Sequence, residues 1–339
     1  MSSGNATHFR EQPLADGPRI GVLILNRNGR RWLAPLYESL RAQDYPRARV
    51  YLVDNASEDD SVDLTCSGYP EVTVLRMPAN LGFCMAYNLA MPVAFADGCN
   101  WVVWANNDIL IQSGCLGALA DAVRGAQRIG VIGPAFLAWD SDEPNYYMRG
   151  KHPGAIPAML RCDATPVDVD WVEGSFLMVS RECVADVGPL DPWLFLYWEE
   201  TDFCRRARLR GWRVALAPNA IVRHYAKGWS ERDKGNRAAA SWLRAHNFYV
   251  YAFCDPERSF VRNAFEAIHA LAVELKKSLL SLDWISALIQ ARAFWTVAIA
   301  EFGTIRRKWR NDRHGIHPAP TIAAFQDAKV LVLRAGVSA

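Results

Sequence analysis

Ile20-Gly-Val-Leu-Ile-Leu-Asn-Arg-Asn-Gly29 is the stretch that decides the fold class. Residues 20–25 form a continuous apolar run, which is typical of a strand buried on both faces of a sheet. The run ends in a polar loop, and the apolar residues from Trp32 to Leu40 then recur at helical spacing. This segment therefore predicts a buried strand followed by a helix.

The same alternation repeats along the first half of the chain. Short apolar runs at Val50–Val53, Val72–Leu75, Trp101–Ala105 and Ile129–Ile132 are separated by segments with helical spacing. Buried strands that alternate with helices form a mainly parallel sheet with helices on both faces. We expect an α/β domain of this kind.

Polar residues directly follow three of these runs, at Asn26-Arg27-Asn28, Asp54-Asn55 and Asn106-Asn107-Asp108. Each has an ordinary local explanation, since Asp and Asn are common in turns and as helix caps. In open α/β sheets, however, ligands bind beyond the carboxyl ends of the strands. Three polar strand ends together predict a ligand site at this edge.

Composition narrows the class of protein. The chain has 339 residues, of which 51% are hydrophobic and 22% charged, so it can bury a full core. A formal net charge of +2 does not fit a general nucleic-acid binder. The eight cysteines include no C-x-x-C pair, which argues against zinc-ribbon and thioredoxin-like sites and favours a reducing compartment.

The chain carries no recognisable targeting or spanning segment. Residues 1–19 are polar, and no stretch reaches the ~18–20 uncharged apolar residues that cross a bilayer. The most apolar late stretch, Trp284–Ile305, is interrupted by Arg292 and Glu301. We expect a cytoplasmic protein that is at most peripheral on the inner face of the cell membrane.

Two features of the second half of the chain also suggest chemistry. The acidic cluster Trp198-Glu-Glu-Thr-Asp202 follows an aromatic run and opens a predicted helix. The helix dipole explains one or two acids in a first turn, whereas three beside arginines favour a general base with a tuned pKa. His224 ends a predicted strand, where a histidine is usually structural, although the strand directs it toward the polar edge.

In combination these segments resemble the family 2 glycosyltransferases, in particular their bacterial rhamnosyltransferase-like branch. The resemblance covers about residues 20–250 and rests on five blocks in the family's order. These are Ile20–Asn28, Asp54–Ser57, Asn80–Asn88, Asn106–Asp108, and Glu173–Ser175 through Glu199–Asp202 to His224. It implies a GT-A fold, which is a Rossmann-like, mainly parallel central sheet with helices on both faces. A C-terminal helical extension is expected to follow this domain.

The resemblance also implies a role for individual residues. The implied donor-binding residues are Asn26, Arg27, Asn28, Asp54, Asn55, Asn80, Gly82, Asn88, Asn106 and Asn107. The implied ligands of Mg²⁺ or Mn²⁺ are Asp108 and His224, and the implied acceptor-binding residues are Gly174, Ser175 and Trp198. The implied catalytic acids are Glu200, Asp202 and Glu199.

Two positions depart from the family pattern. Asn106 stands where the metal-binding motif usually begins with Asp, so it is expected to contact the donor or a metal-bound water. Glu200 stands where the family usually has an Asp as general base, and its side chain is one methylene longer. Glu200 is the expected base, and Asp202 is the second candidate.

The expected activity is an inverting, metal-dependent hexosyl transfer from dTDP-rhamnose or a UDP-sugar. The acceptor would be a hydroxyl of a saccharide, lipid-linked as in many relatives, in cell-surface polysaccharide synthesis. A sugar nucleotidyltransferase is an alternative, but its Gly-rich phosphate loop is absent from Leu25–Gly29. A non-catalytic nucleotide-sugar- or carbohydrate-binding protein is another, which the Glu at 200 leaves open.

The expected organisation has four parts. Residues 1–18 form a polar, disordered N-terminus, 19–235 the GT-A domain, 236–315 a helical region and 316–339 a tail. The helical region combines many aromatic residues with arginines and lysines. Such a region either packs on the catalytic domain or binds a membrane surface at the level of the lipid headgroups.

Overall fold

The computed structural model describes residues 17–226, 234–313 and 330–333, with only the backbone described for 234–236. The expected N-terminus 1–18 therefore lies almost entirely outside the described residues. The strands are Ile20–Asn26 (β1), Ala48–Asp54 (β2), Thr73–Arg76 (β3), Trp101–Asn106 (β4), Ile109–Ile111 (β5), Ile129–Leu137 (β6), Val167–Asp168 (β7), Phe176–Ser180 (β8), Arg213–His224 (β9) and Leu331–Leu333 (β10).

Helices cover the sheet and form the C-terminal region. They are Arg30–Arg41 (α1), Ser61–Gly68 (α2), Gly82–Ala96 (α3), Cys115–Val123 (α4), Tyr146–Lys151 (α5), Ile156–Leu160 (α6), Arg181–Val187 (α7), Glu199–Leu209 (α8), Lys234–Phe253 (α9), Phe260–Leu280 (α10), Trp284–Trp295 (α11) and Phe302–Arg313 (α12). A π-helical turn, Thr296–Ala300, joins α11 to α12.

One mixed sheet organises the domain, in the order β10-β3-β2-β1-β4-β8-β6-β9-β5, with β7 beside β9. The strands β3, β2, β1 and β4 are parallel, as the alternating pattern predicts. β8 runs antiparallel to both β4 and β6, and β5 antiparallel to β9. The predicted α/β class is confirmed. The second half of the sheet is mixed because β8 and β5 run opposite to their neighbours.

Buried aromatic side chains fix β4 between two helices. Trp104 is fully buried and packs edge-on against Phe203 of α8 at a centroid distance of 5.2 Å. The Tyr87 hydroxyl of α3 donates to the Ala105 carbonyl oxygen at 2.9 Å. These contacts position the end of β4, where Asn106–Asp108 leave the sheet.

Regular structure forms in two segments for which the sequence analysis predicts no helix or strand. The segment 139–170, which has no clear period, includes α5 and α6. Those helices have six and five residues, which is too short for an amphipathic period to show. Within the expected tail 316–339, β10 pairs antiparallel with β3, so that part of it is an edge strand.

The helical region packs on the catalytic domain through α9 and α12. The Trp198 ring contacts Phe248 of α9 at 5.2 Å, and Arg205 of α8 donates to the Tyr251 carbonyl at 2.9 Å. Within the described residues, no single helix is long and apolar enough to cross a bilayer. A bent pair, Trp284–Ala300 and Phe302–Arg313 at 76°, meets that requirement only jointly.

Candidate active site

A cleft opens at the carboxyl ends of β1, β2 and β4. Register aligns Asn26 with Asp54 across β1 and β2, and Leu25 with Asn106 across β1 and β4, so the predicted polar strand ends do meet. The cleft is lined by many of the predicted site residues, namely Arg27, Asn55, Asn80, Gly82, Asn106, Asn107, Asp108, Gly174, Ser175, Glu199, Glu200 and His224.

Asn26 and Asp54 lie beneath this surface. Both are fully buried. Asn26 accepts from Asn107 Nδ2 at 2.6 Å and donates to Ser57 Oγ at 3.1 Å. The Asp54 carboxylate accepts from the Ser57 backbone N–H at 3.3 Å and faces Arg76 at 3.6 Å. Their side chains therefore shape the turns of the cleft, and neither shows the open carboxylate or amide expected of a direct donor contact.

Arg27 and Asn28 continue this turn. The Arg27 guanidinium donates to the Ala56 carbonyl at 2.7 Å and lines the cleft. The Asn28 backbone N–H donates to Ser57 Oγ at 2.9 Å, and its side-chain oxygen accepts from the Glu58 N–H at 2.7 Å. Arg27 is thus placed toward a ligand, whereas Asn28 joins the first two strand-end loops.

Of the other predicted donor-binding residues, some line the cleft and one lies away from it. Asn55 Nδ2 donates to Asn80 Oδ1 at 3.0 Å, and both residues line the cleft beside Gly82. Gly82 has a φ of +73°, and a Cβ there would lie 2.5 Å from the Phe195 ring. Asn88 instead bonds the Leu190 backbone at 2.8 and 3.0 Å and does not line the cleft, so it ties α3 to the 190 loop.

Asp108 and His224 meet as predicted, because β5 and β9 pair in a register that places Ile109 opposite His224. His224 Nε2 lies 3.4 Å from Asp108 Oδ1. Its Nδ1 lies 2.6 Å from Glu173 Oε1, which also accepts from Ser175 Oγ at 2.8 Å. Burial disfavours the charged imidazole, but the bonds to Asp108 and Glu173 outweigh it and raise the pKa of His224 to about 10.

Glu173 is a further cleft residue, and the sequence alone did not indicate a role for it. It had a place in a family block but no assigned role, because its contact with His224 depends on how β8 and β9 lie in the sheet. Its second carboxylate oxygen accepts from Asn145 Nδ2 at 3.1 Å. Glu173 thereby fixes the His224 ring and leaves Nε2 directed at Asp108. With the pKa raised in this way, both ring nitrogens carry a proton at neutral pH, Nδ1 facing Glu173 and Nε2 facing Asp108. The contact with Glu173 would keep the proton on Nδ1 when a cation occupies Nε2.

Glu199 and Glu200 line the cleft from the start of α8. Burial raises the pKa of Glu200 to about 7, and the negative charge of Glu173 adds to the increase. Burial also raises the pKa of Glu199, which is 4% exposed and whose Oε2 has no hydrogen-bond partner among the described residues. A carboxyl group with a pKa near neutrality can take up a proton at physiological pH.

Asp202, the second candidate for the base, faces away into the protein. It bonds Arg206 at 2.8 Å and Arg205 at 3.3 Å, and Lys308 of α12 lies 3.5 Å away. Burial opposes ionisation, but Lys308, Arg206 and Arg205 outweigh it and hold the pKa of Asp202 far below its usual range. Asp202 is therefore held as a buried anion by three cations, an arrangement that favours Glu200 over Asp202 as the base.

The turn before Glu199 is strained. Tyr197 and Trp198 both have a φ of +73°, a conformation that costs a non-glycine residue about 1–2 kcal/mol. Asn247 of α9 stabilises the turn by donating to the Leu196 and Tyr197 carbonyls, both at 3.0 Å. Trp198 Nε1 donates to the Arg244 carbonyl at 3.2 Å. The C-terminal region thus positions the two acids.

The predicted acceptor residues lie on two sides of Glu200. A Cβ on Gly174 would lie 3.3 Å from Cβ, Cγ and Cδ of Glu200, so this glycine permits a close approach. Ser175 contributes its hydroxyl to Glu173 and its carbonyl to the Asn106 N–H at 2.8 Å. Trp198 lines a neighbouring groove rather than the cleft itself.

The chain is similar in sequence to known glycosyltransferases. The model of the family described as Glycosyl transferase family 2 matches residues 21–181. The N-acetylglucosaminyl-diphospho-decaprenol L-rhamnosyltransferase of Mycobacterium tuberculosis is 31% identical over 232 residues. That alignment covers 60% of this chain and 73% of the relative.

Solved structures show the same fold. GalNAc-T7, with UDP, GalNAc and Mn²⁺, superposes with a TM-score of 0.52 at 16% identity; the match covers 68% of this chain and only 52% of that one. The mannosyltransferase PcManGT from Pyrobaculum calidifontis, in complex with GDP-Man and Mn²⁺, gives 0.55 at 16% identity and covers 91% and 88%. Sequence identities this low support the shared GT-A fold and no more detailed conclusion.

The hydrogen bonds from Asn247 to the strained turn can be tested without a ligand. Asn247→Ala removes both donors to the turn, so we expect the free energy of unfolding to fall by about 1–3 kcal/mol. Hydrogen exchange of the Glu199–Asp202 amides, followed by mass spectrometry, should also accelerate.

Asn263→Ala is the matched control for this test. Asn263 is equally buried, and its amide donates to the Phe253 and Asp255 carbonyls at 2.9 and 2.7 Å, away from the cleft. We expect a similar loss of stability with unchanged exchange at Glu199–Asp202. Equal acceleration in both variants would contradict a specific role for Asn247.

Proposed function

Because the chain belongs to glycosyltransferase family 2, we propose that it transfers a sugar, with inversion, from a nucleotide-diphosphate donor to a hydroxyl of a saccharide acceptor. The observation that carries the proposal is the convergence of the Asp108–His224–Glu173 arrangement and Glu200 on one cleft. It supplies a cation-binding side and a proton-accepting side to the same space.

The proposed donor is dTDP-rhamnose or a UDP-sugar. Support for rhamnose comes from the relative named as an L-rhamnosyltransferase, and support for nucleotide sugars from structures with UDP or GDP-Man. The donor would lie along the strand ends, where Arg27, Asn55 and Asn80 line the cleft. The guanidinium of Arg27 suits a phosphate or a nucleobase carbonyl.

The residues present fit a divalent cation, proposed as Mg²⁺ or Mn²⁺. Adjacent ligands of an octahedral ion with ~2.1 Å bonds lie ~3 Å apart, and Asp108 Oδ1 and His224 Nε2 are 3.4 Å apart. A carboxylate that holds the second ring nitrogen, as Glu173 does, is the usual support of a metal-binding histidine. When bound, the cation would stabilise the charge on the departing diphosphate.

The protein alone offers an incomplete ligand set. Within residues 17–226, 234–313 and 330–333, no group of three or more His, Cys, Asp or Glu side chains is arranged to hold an ion. Asp108 and His224 would then complete the coordination only together with donor phosphates and water, as is common for Mg²⁺. Metal and donor should bind together.

Glu200 is the proposed general base. Its carboxylate would accept the proton of the acceptor hydroxyl as that oxygen attacks the anomeric carbon from the face opposite the diphosphate, in a single displacement. The strained Tyr197–Trp198 turn and Gly174 hold the side chain at the cleft wall. Glu199, beside it, is proposed to bind a sugar hydroxyl through its unpartnered Oε2.

We also propose a cytoplasmic protein that associates peripherally with the inner face of the membrane and acts on a lipid-linked saccharide in cell-surface polysaccharide synthesis. The relative acts on a diphospho-decaprenol-linked sugar, as its name states. Around the α10–α11 turn, Leu280 is 77% and Ile285 73% exposed, and Leu282, Trp284 and Leu288 are also exposed. Exposed apolar groups of this density mark interaction surfaces.

Donor binding should depend on the metal. In a thermal-shift panel of UDP-, dTDP- and GDP-sugars with Mg²⁺, Mn²⁺ or chelator, one nucleotide should stabilise the protein only with metal. The expected gain is ~2.7 kcal/mol at about a hundredfold excess over Kd. Asp108→Asn should abolish the metal-dependent part of the thermal shift. Asp140→Asn, at an exposed position, should preserve it. A full shift in chelator would contradict the metal site.

Glu200→Gln should leave donor binding intact and reduce turnover by about 10²–10⁴-fold, the usual contribution of a positioned base. Only the ionised carboxylate accepts a proton. Because the pKa of Glu200 is raised to about 7, wild-type turnover should fall about tenfold per pH unit below that value.

Two controls accompany this experiment. Glu182→Gln, at an exposed acid of α7, should retain full turnover at every pH. Asp202→Asn should reduce stability by about 3–5 kcal/mol, since it leaves Arg205 and Arg206 without their buried anion. A Glu200→Gln protein with near-normal turnover would refute the assignment of the base.

Membrane association is tested by co-sedimentation with vesicles. We expect binding to vesicles that contain phosphatidylglycerol at low salt, and about tenfold weaker binding for Leu280→Glu or Ile285→Glu. Leu160→Glu is the control, because Leu160 of α6 is 68% exposed but lies outside the α10–α11 turn. Wild-type protein that stays in the supernatant would refute the proposal.

A further inference from the structure

A second groove joins the active-site cleft at Glu200. The two spaces share four lining residues, Tyr147, Tyr197, Glu200 and Arg244. The groove then runs between α8 and the C-terminal helices α9 and α11. A molecule that occupies it can present one end to Glu200 while the donor fills the cleft.

Aromatic rings form the wall of the groove nearest Glu200. Trp198 lies 5.2 Å from both Phe248 and Tyr251 of α9, measured between ring centroids. Trp171, on the opposite side, packs against His152 at 5.1 Å and Tyr147 at 6.3 Å. Flat, partly apolar rings with polar tips suit the apolar faces of sugar rings.

Two cations at the groove have no acidic partner. Arg244 stacks on the Tyr197 ring at 4.4 Å and donates to its hydroxyl at 3.2 Å. Neither Arg244 nor Lys151 forms an ion pair with any described carboxylate, whereas Arg208 of the same groove pairs with Asp170 at 3.3 Å. A guanidinium held flat by an aromatic ring is preorganised for the paired oxygens of a phosphate.

The groove also extends to α11, and Glu274 of α10 lies in its lining. Ser286, Ile289 and Gln290 of α11 line it. Ile285 and Leu288, on the same helix, are exposed to solvent. A ligand that leaves the groove here passes directly onto the exposed apolar surface of the α10–α11 turn.

We propose that this groove binds the acceptor and that Arg244, with Lys151, binds a phosphate group of it. The acceptor is therefore a saccharide joined through phosphate to an apolar chain, with its sugar on the aromatic wall, its phosphate at Arg244 and its chain along α11. This inference rests on the proposed function, because it takes Glu200 as the group that meets the acceptor hydroxyl.

Calorimetric titration tests the proposal in full-length protein whose donor cleft is filled with UDP and Mn²⁺. The probes are dodecyl diphosphate, dodecyl maltoside and inorganic pyrophosphate, each below its micelle concentration where it has one. We expect dodecyl diphosphate to bind at least about tenfold more tightly than either other probe. Arg244→Gln should weaken dodecyl diphosphate binding by about tenfold or more and leave dodecyl maltoside unchanged.

Two further variants make the comparison specific. Lys151→Gln should weaken dodecyl diphosphate binding in the same direction. Lys276→Gln removes an exposed cation of α10 that does not line the groove, and it should have no effect.

Three outcomes would overturn the proposal. Dodecyl diphosphate binding that survives both Arg244→Gln and Lys151→Gln would remove the phosphate site. Pyrophosphate binding as tight as that of dodecyl diphosphate would indicate a free-phosphate site. Equal binding of maltoside and diphosphate would indicate apolar adsorption alone. Failure of the wild type to bind any nucleoside diphosphate with metal would instead refute the donor site of the proposed function.

Discussion

Four carboxyl groups, those of Asp108, Glu173, Glu199 and Glu200, line one cleft, and most of the chemistry of this protein follows from that concentration of negative charge. Burial raises the pKa of Glu199 and of Glu200, and the charge of a neighbouring carboxylate adds to each increase. The same effect draws a proton onto His224 between Asp108 and Glu173, and it raises the pKa of Glu200 to about 7. A cleft in this condition attracts external positive charge on one side and a proton on the other. In the proposed reaction, a divalent cation bound with the donor diphosphate and the proton of the acceptor hydroxyl would take these two places.

The C-terminal helices belong to the active site in a physical sense. Asn247 of α9 holds the strained turn from which Glu199 and Glu200 project, and Lys308 of α12 neutralises Asp202 one turn further along α8. Lys308 also lies 2.7 Å from Asp191, in the loop that Asn88 ties to α3. The boundary expected near residue 236 separates two patterns in the sequence, but the interactions that position the acids cross it. A displacement of α9 or α12 would therefore be transmitted to Glu200.

Local sequence predicts most of the strand ends and few of the long-range contacts. The run 20–25 and its polar loop predict β1 and its place at the ligand edge, because burial and turn chemistry are both local. The contact between Glu173 and His224 requires the arrangement of the second half of the sheet, which periodicity does not determine. Asp202 resembles a base until Lys308, more than a hundred positions later, is brought against it. Likewise, the burial of Asp54 follows from how the 54–57 turn folds back on its carboxylate.

Gly174 accommodates the side chain of Glu200, the acid that stands where the family usually has an Asp. A longer acid at this position needs space for one more methylene if its carboxylate is to end where the shorter one would. Gly174 provides that space, since a Cβ there would be 3.3 Å from three successive carbons of Glu200. The Glu200 side chain therefore runs beside the backbone at Gly174, and the residue lines the cleft. Residues 174 and 200 then act as a pair, because a side chain at 174 would push the longer acid toward the donor. Together they keep the carboxylate at the junction of the cleft and the groove, where the proposed donor and acceptor would meet.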